Sequence, residues 1–150
     1  MTRRLIGALA IITTLLLSGC GNDYGVDQYG QKVAAERLDK QWLVVNYWAE
    51  WCGPCRTEIP ELNALAEQLK GQNVGVFGVN FDNVQGEELK AASDKLGIKF
   101  TVLAQNPDGI FEIPRSEALP VTYIIDDKGK VREQLMGEQT AEGVLAKLKA

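Results

Sequence analysis

The sequence contains no histidine. That removes the usual general base, the usual neutral-pH switch and the commonest metal ligand together. Any chemistry must come from thiols, carboxylates, amines or backbone groups. Concentrated positive charge is also missing: the 150 residues carry a formal net charge of −4 and no stretch rich in Lys or Arg. Nucleic acid is set aside as a partner, because phosphate binding needs a concentrated basic face. Apolar and charged contents of 45% and 24% are ordinary for a globular protein, which argues against disorder and against a multi-span membrane protein. Internal repeats and low-complexity tracts are absent, and the length suits one domain but hardly two. Cysteine is scarce, with three residues, Cys20, Cys52 and Cys55.

The N-terminal stretch reads as an address. Arg3 and Arg4 form a short positive region ahead of an uncharged, largely apolar run over residues 5–17. A secretory signal has this layout, and the run falls short of the about 20 residues that a bilayer span needs. Leu17-Ser18-Gly19-Cys20 then resembles the lipobox of bacterial lipoproteins, whose cysteine is lipidated and becomes the new N-terminus. A plain secretory signal with an incidental cysteine is the alternative. Three cysteines in an exported protein leave one unpaired. Acylation of Cys20 closes the count and leaves Cys52 and Cys55 as a pair. Residues 1–19 are thus expected to be a lipoprotein signal peptide and residues 20–26 a lipidated cysteine with a short polar tether. Six extended residues reach roughly 20 Å, so the domain expected over residues 27–150 would work close to its membrane, on the periplasmic or extracytoplasmic side. Gly21 after the cysteine favours outer-membrane sorting in a Gram-negative cell.

Residues 27–30 (Asp-Gln-Tyr-Gly) offer a turn for an N-terminal hairpin. Residues 41–48 are almost continuously apolar and β-rich, as in a strand buried on both faces. Residues 54–70 read as a helix with Ile59, Leu62, Ala66 and Leu69 on one stripe. A second buried strand follows at 74–81, then a helix at 87–96 that Gly97 stops. Residues 100–103 suit a short strand and 105–119 a loop. Residues 121–125 and 130–135 flank Asp126-Asp127-Lys128-Gly129, a hairpin signal, and Thr140 is a candidate N-cap for a closing helix. The pattern implies an α/β fold, a central mixed β-sheet with helices on its faces.

Trp51-Cys52-Gly53-Pro54-Cys55 stands where the first buried strand hands over to a helix. This placement brings two sulfurs within bridging reach. It also sets Cys52 at a helix N-terminus, where unpaired N–H groups and the helix dipole stabilise a thiolate. Pro54 is tolerated because the first turn needs no N–H from it. Cys52 is then the nucleophile and Cys55 the resolving thiol. A bare CxxC could equally be half of a zinc site or a structural bridge. Zinc needs about four ligands, and the chain has no histidine and no second cysteine pair. So small a loop would constrain the unfolded chain little.

Val44-Val45-Asn46-Tyr47-Trp48-Ala49-Glu50-Trp51-Cys52-Gly53-Pro54-Cys55-Arg56 resembles the active-site strand and helix of thioredoxins. Glu58 and Pro60, an extra helix–strand at about 87–103, and the run Leu119-Pro120-Val121-Thr122 make the chain similar to membrane-anchored thioredoxin-like reductases of the TlpA/ResA type. The resemblance implies a thioredoxin-like fold with a helix–strand insertion. It matches Pro120 to the cis-proline that lies against the disulfide and pairs with a substrate backbone. Trp51, Gly53, Pro54 and Leu119 would join it in contacting substrate. Pro60 matches a helix-kinking proline, and Trp48 matches an aromatic that either packs in the core or tunes the redox centre. Asn46 occupies the position of the buried thioredoxin aspartate, and an amide cannot shuttle a proton. Glu58 matches the carboxylate of the TlpA/ResA-type proteins and could take the proton from Cys55. A solvated first-turn glutamate is the alternative for Glu58. Glu50 reads as a surface charge, and Pro114 as the mark of a remodelled 105–119 segment.

The resemblance implies a reductase with no metal and no cofactor beyond the Cys52–Cys55 couple. Its electrons would come from a transmembrane thiol donor, and its substrates would be disulfides of exported proteins, apocytochromes c among the candidates. An oxidase or isomerase in the same compartment is the alternative within enzymes. A thioredoxin-like binding lipoprotein that captures a partner or copper is the alternative outside them.

Overall fold

The computed structural model describes residues 21–149. The expected signal peptide and the expected lipidation site at Cys20 lie outside the described residues. Five strands form one sheet: β1 (Trp42–Trp48), β2 (Val74–Asn80), β3 (Thr101–Leu103), β4 (Val121–Ile125) and β5 (Val131–Met136). Their order is β3-β2-β1-β4-β5. The first three run parallel, and β4 and β5 are antiparallel to their neighbours, so the sheet is mixed. The helices are α1 (Gly53–Gln68), α2 (Gly86–Lys95), α3 (Asp108–Phe111) and α4 (Ala141–Leu148).

Strand alternation divides the core into two layers. Val44 and Trp48 of β1 and Val76 of β2 point to the face covered by Ile59, Leu62 and Leu65 of α1, Leu89 and Ala92 of α2, and Val144 of α4. Each fully buried aliphatic side chain on this α1 stripe contributes about 1.5–3 kcal/mol. Leu43, Val45 and Tyr47 point the other way, onto Tyr24, Val33, Phe111 and Ile113. Three helices cover one face, while the short α3, loops and the N-terminal segment cover the other. Gly78 of β2 lies under the Trp48 indole, where an added Cβ would sit 3.0 Å from both Nε1 and the Phe100 ring, so a side chain here would force these buried rings to shift.

The turn at 27–30 forms, with the Gly30 N–H donating to the Asp27 carbonyl at 2.9 Å, but the hairpin around it is a single bridge, Val26 to Lys32. The segment instead covers the free edge of β3. Asp27 bridges Leu103, and the Gln28 amide donates to the Phe100 carbonyl at 3.1 Å and accepts from the Val102 N–H at 2.8 Å. An edge plugged in this way offers no template to another chain. Tyr24, placed by sequence in the tether, is a core residue: its ring stacks on Phe111 and its hydroxyl donates to Asp39 at 2.6 Å. An aromatic ring gains more from that contact than from solvent, so the packed domain reaches back before Asp27. Within 105–119, expected as a loop, a single helical turn forms as α3.

Candidate active site

β1 ends at Trp48, the chain turns through Ala49, Glu50 and Trp51, and α1 starts at Gly53. Cys52 is the N-cap of α1, and its sulfur accepts from the Cys55 N–H at 3.2 Å. That N–H is one of the donors that a helix start leaves without an intrahelical partner. The same donor can stabilise the Cys52 thiolate once the bridge opens. Cys52 and Cys55 form a disulfide with a Cα–Cα distance of 5.3 Å, and both are buried. Gly53 and Pro54 are exposed beside them. Pro60 lies inside α1, where it deprives the Arg56 carbonyl of its helical donor.

Glu58 lies one turn beyond Cys55 on the same helix, a spacing that puts both on one face. It is 1% exposed, so the solvated first-turn alternative does not hold. Its Oε1 accepts from the Asn46 side-chain amide at 2.6 Å, and its Oε2 from the Gln139 backbone N–H at 3.0 Å. The second Asn46 amide hydrogen goes to Thr122 Oγ at 3.0 Å, and Asn46 Oδ1 is buried without a partner. Burial pushes the Glu58 carboxyl up from 4.5 to about 7; the two hydrogen bonds pull against that rise, and the nearby Glu138 charge adds to it. A carboxyl so placed exchanges a proton near neutral pH.

Leu119–Pro120 is a cis peptide, and Pro120 is buried at the start of β4. Trp51 is 64% exposed, with its indole N–H donating to Asp82 Oδ2 at 2.7 Å. Trp48 is wholly buried and belongs to the core. Glu50 is half-buried and pairs with Lys95 on the surface. A pocket of about 320 Å³ lies under the 105–119 segment on the opposite face of the sheet, lined by Tyr47, Asn106, Ile113, Arg115 and Tyr123 among others. Among the described residues no group of three or more His, Cys, Asp or Glu is arranged to hold a metal ion. No helix among them is long and apolar enough to cross a membrane.

The profile of the AhpC/TSA family matches residues 16–134. The thiol-disulfide oxidoreductase ResA of Bacillus thuringiensis (strain Al Hakam) is 32% identical over 123 residues, which cover 82% of this chain and 70% of the relative. The chain belongs to this family, as a thiol:disulfide oxidoreductase of the ResA/TlpA type. The thioredoxin-like protein YneN of Bacillus subtilis (strain 168) is 29% identical over 121 residues, covering 79% of this chain and 70% of that one. Among solved structures, a thiol:disulfide interchange protein of the thioredoxin family from Chlorobium tepidum TLS superposes with a TM-score of 0.69 at 25% identity, covering 83% of this chain and 89% of its own. The fold is thioredoxin-like.

This oxidoreductase carries two features that its sequence did not disclose. Asn46 binds Glu58 directly, a contact between residues 12 apart on different elements that only the packed strand and helix create. The Gln139 N–H reaches Glu58 from the stretch between β5 and α4. The residue types gave a partial signal, since an amide at a buried strand position needs a polar partner.

Proposed function

We propose that the protein is an extracytoplasmic, lipid-anchored reductase that takes electrons from a transmembrane thiol donor and passes them to disulfides of exported proteins, apocytochromes c among them. The Cys52 thiolate attacks a substrate disulfide, forms a mixed disulfide and expels the first substrate thiolate. Cys55 loses its proton to Glu58 and attacks Cys52 Sγ, which expels the second thiolate and leaves the Cys52–Cys55 bridge. Two electrons have then moved from protein to substrate, and a dithiol donor returns them. No metal or organic group is needed. Pro120, with Leu119, Trp51, Gly53 and Pro54, meets the substrate backbone during the exchange.

The observation that carries this reading is the buried Glu58 carboxyl, on the same helix face as Cys55 and held near neutrality, since oxidation of a dithiol releases protons that a buried base can receive. The Gly53-Pro54 dipeptide, shared with reducing thioredoxins, supports the direction. The anchor rests on Leu17-Ser18-Gly19-Cys20. Acid quenching and alkylation of the pair in growing cells tests the direction. The expected result is Cys52 and Cys55 largely as thiols in a membrane fraction, with Cys20→Ser freeing the protein from it. A steady-state disulfide would make the protein an oxidant instead.

A further inference from the structure

The disulfide has two flanks. β4 with Pro120 lies on one side of β1, and the end of β2 lies on the other. On the β2 side an open groove of about 300 Å³ runs beside Trp51, walled by Arg56, Asn80, Asp82, Val84 and Glu88.

Asn80 supplies a donor there. It is 6% exposed, and alternation along β2 turns it to the same face as Val76, toward α1 and α2. Its Oδ1 accepts from the Val84 N–H at 3.3 Å, and its Nδ2 has no hydrogen-bond partner among the described residues. That group keeps access to solvent, so it can donate to a ligand that enters the groove. Trp51 supplies a surface. Asp82 fixes its indole edge, so a large aromatic face stands exposed at the groove, and such faces attract cations. The rim supplies charge. Lys95 engages Glu50, and the Arg56 guanidinium, bonded to the Glu50 carbonyl, keeps one positive charge on the groove wall against the two carboxylates of Asp82 and Glu88. Asp82 and Glu88 have no ion-pair partner among the described residues.

We propose that this groove is a substrate subsite for an extended peptide segment with a lysine or arginine beside its disulfide cysteine. A backbone carbonyl of the segment accepts from Asn80 Nδ2. The cationic side chain lies along Trp51 with its head toward Asp82 and Glu88. The inference deepens the reductase reading and rests on it. It makes the protein selective for basic-flanked disulfides and averse to acidic ones.

The test uses the full chain in detergent, dithiothreitol as electron donor, and disulfide-closed peptides that differ only in Lys, Ala or Glu beside the first cysteine. The expected kcat/KM ratio of Lys to Glu peptide is about tenfold at low salt and falls as salt rises. Asp82→Asn with Glu88→Gln brings the ratio close to one. Glu67→Gln, on the exposed far end of α1, does not change it. Equal rates for the three peptides, a ratio that survives the double variant, or one that Glu67→Gln also abolishes would overturn the subsite. Binding of the Ser-for-Cys peptides to the oxidised protein, read by calorimetry, decides the subsite independently of turnover, with the Lys peptide expected to bind more tightly than the Glu peptide. Reduction of uncharged 2-hydroxyethyl disulfide reports the catalytic reading alone, so its loss would sink that reading and leave the peptide-binding result standing.

Discussion

Two carboxyl groups are buried among the described residues, near opposite ends of β4, and they have opposite characters. Asp126, 3% exposed, follows the strand and accepts from the Lys128 and Lys130 N–H groups at 2.9 Å each and from the Arg132 guanidinium at 2.6 Å. These donors, led by the Lys130 N–H, hold it below the ordinary carboxylate range. Glu58, linked to the start of β4 through Asn46 and Thr122, has two donors and no cation, and burial pushes it up to about 7. Neither side chain is exposed, but Glu58 lies deeper, so desolvation leads and raises its carboxyl, whereas at Asp126 the donors lead and lower it.

The largest separation between the two is kinetic. Glu58→Gln should slow release of the mixed disulfide by roughly 100-fold in stopped-flow traces at neutral pH, as expected for a lost general base. Asp126→Asn should leave that rate within about twofold of wild type, since only local turn geometry would change. Stability reverses the ranking. Asp126→Ala strands two backbone N–H groups and a guanidinium and should cost about 2–4 kcal/mol by urea unfolding. Glu58→Gln should cost no more than about 1 kcal/mol at pH 5, where the native carboxyl is already neutral.

The pH dependence of unfolding, followed on the oxidised protein, sharpens the contrast further. With Glu58 raised from 4.5 to about 7, the folded state binds its proton more tightly than the unfolded chain, so stability falls as pH rises through that window. Glu58→Gln should flatten the fall. Asp126, lowered from 3.8, contributes stability that is present above that value and is lost as pH drops through its folded value; Asp126→Asn should remove the loss. The smallest expected effect belongs to Asn46→Ala. It deletes a donor that favours the charged carboxylate, so the acidic limb of the pH–rate profile should move up by about one unit.

Much of this was legible in the chain. Continuous apolar runs marked β1, β2 and β4, the Ile59–Leu62 spacing marked α1, and Thr140 caps α4 through the Gly143 N–H as its position suggested. Local patterns carry such elements. Contacts between elements were not legible: α3 is a single turn, too short for any periodicity, and Gln28 plugs the β3 edge across more than seventy residues of sequence. The same holds at the site. CxxC at a strand–helix junction announced the thiols, but whether Glu58 faced solvent or the core depended on an amide in β1 and a backbone N–H ahead of α4. Asn46 carries no titratable proton of its own, and in the structure its amide binds the Glu58 carboxyl.

The measurement closest to the central claim is the reduction potential of the Cys52–Cys55 couple, taken on the full chain in detergent by equilibration with glutathione or dithiothreitol buffers. A reductase should come out near or below the about −270 mV of thioredoxin. A value near the about −120 mV of the oxidant DsbA would contradict it and turn the direction of electron flow around.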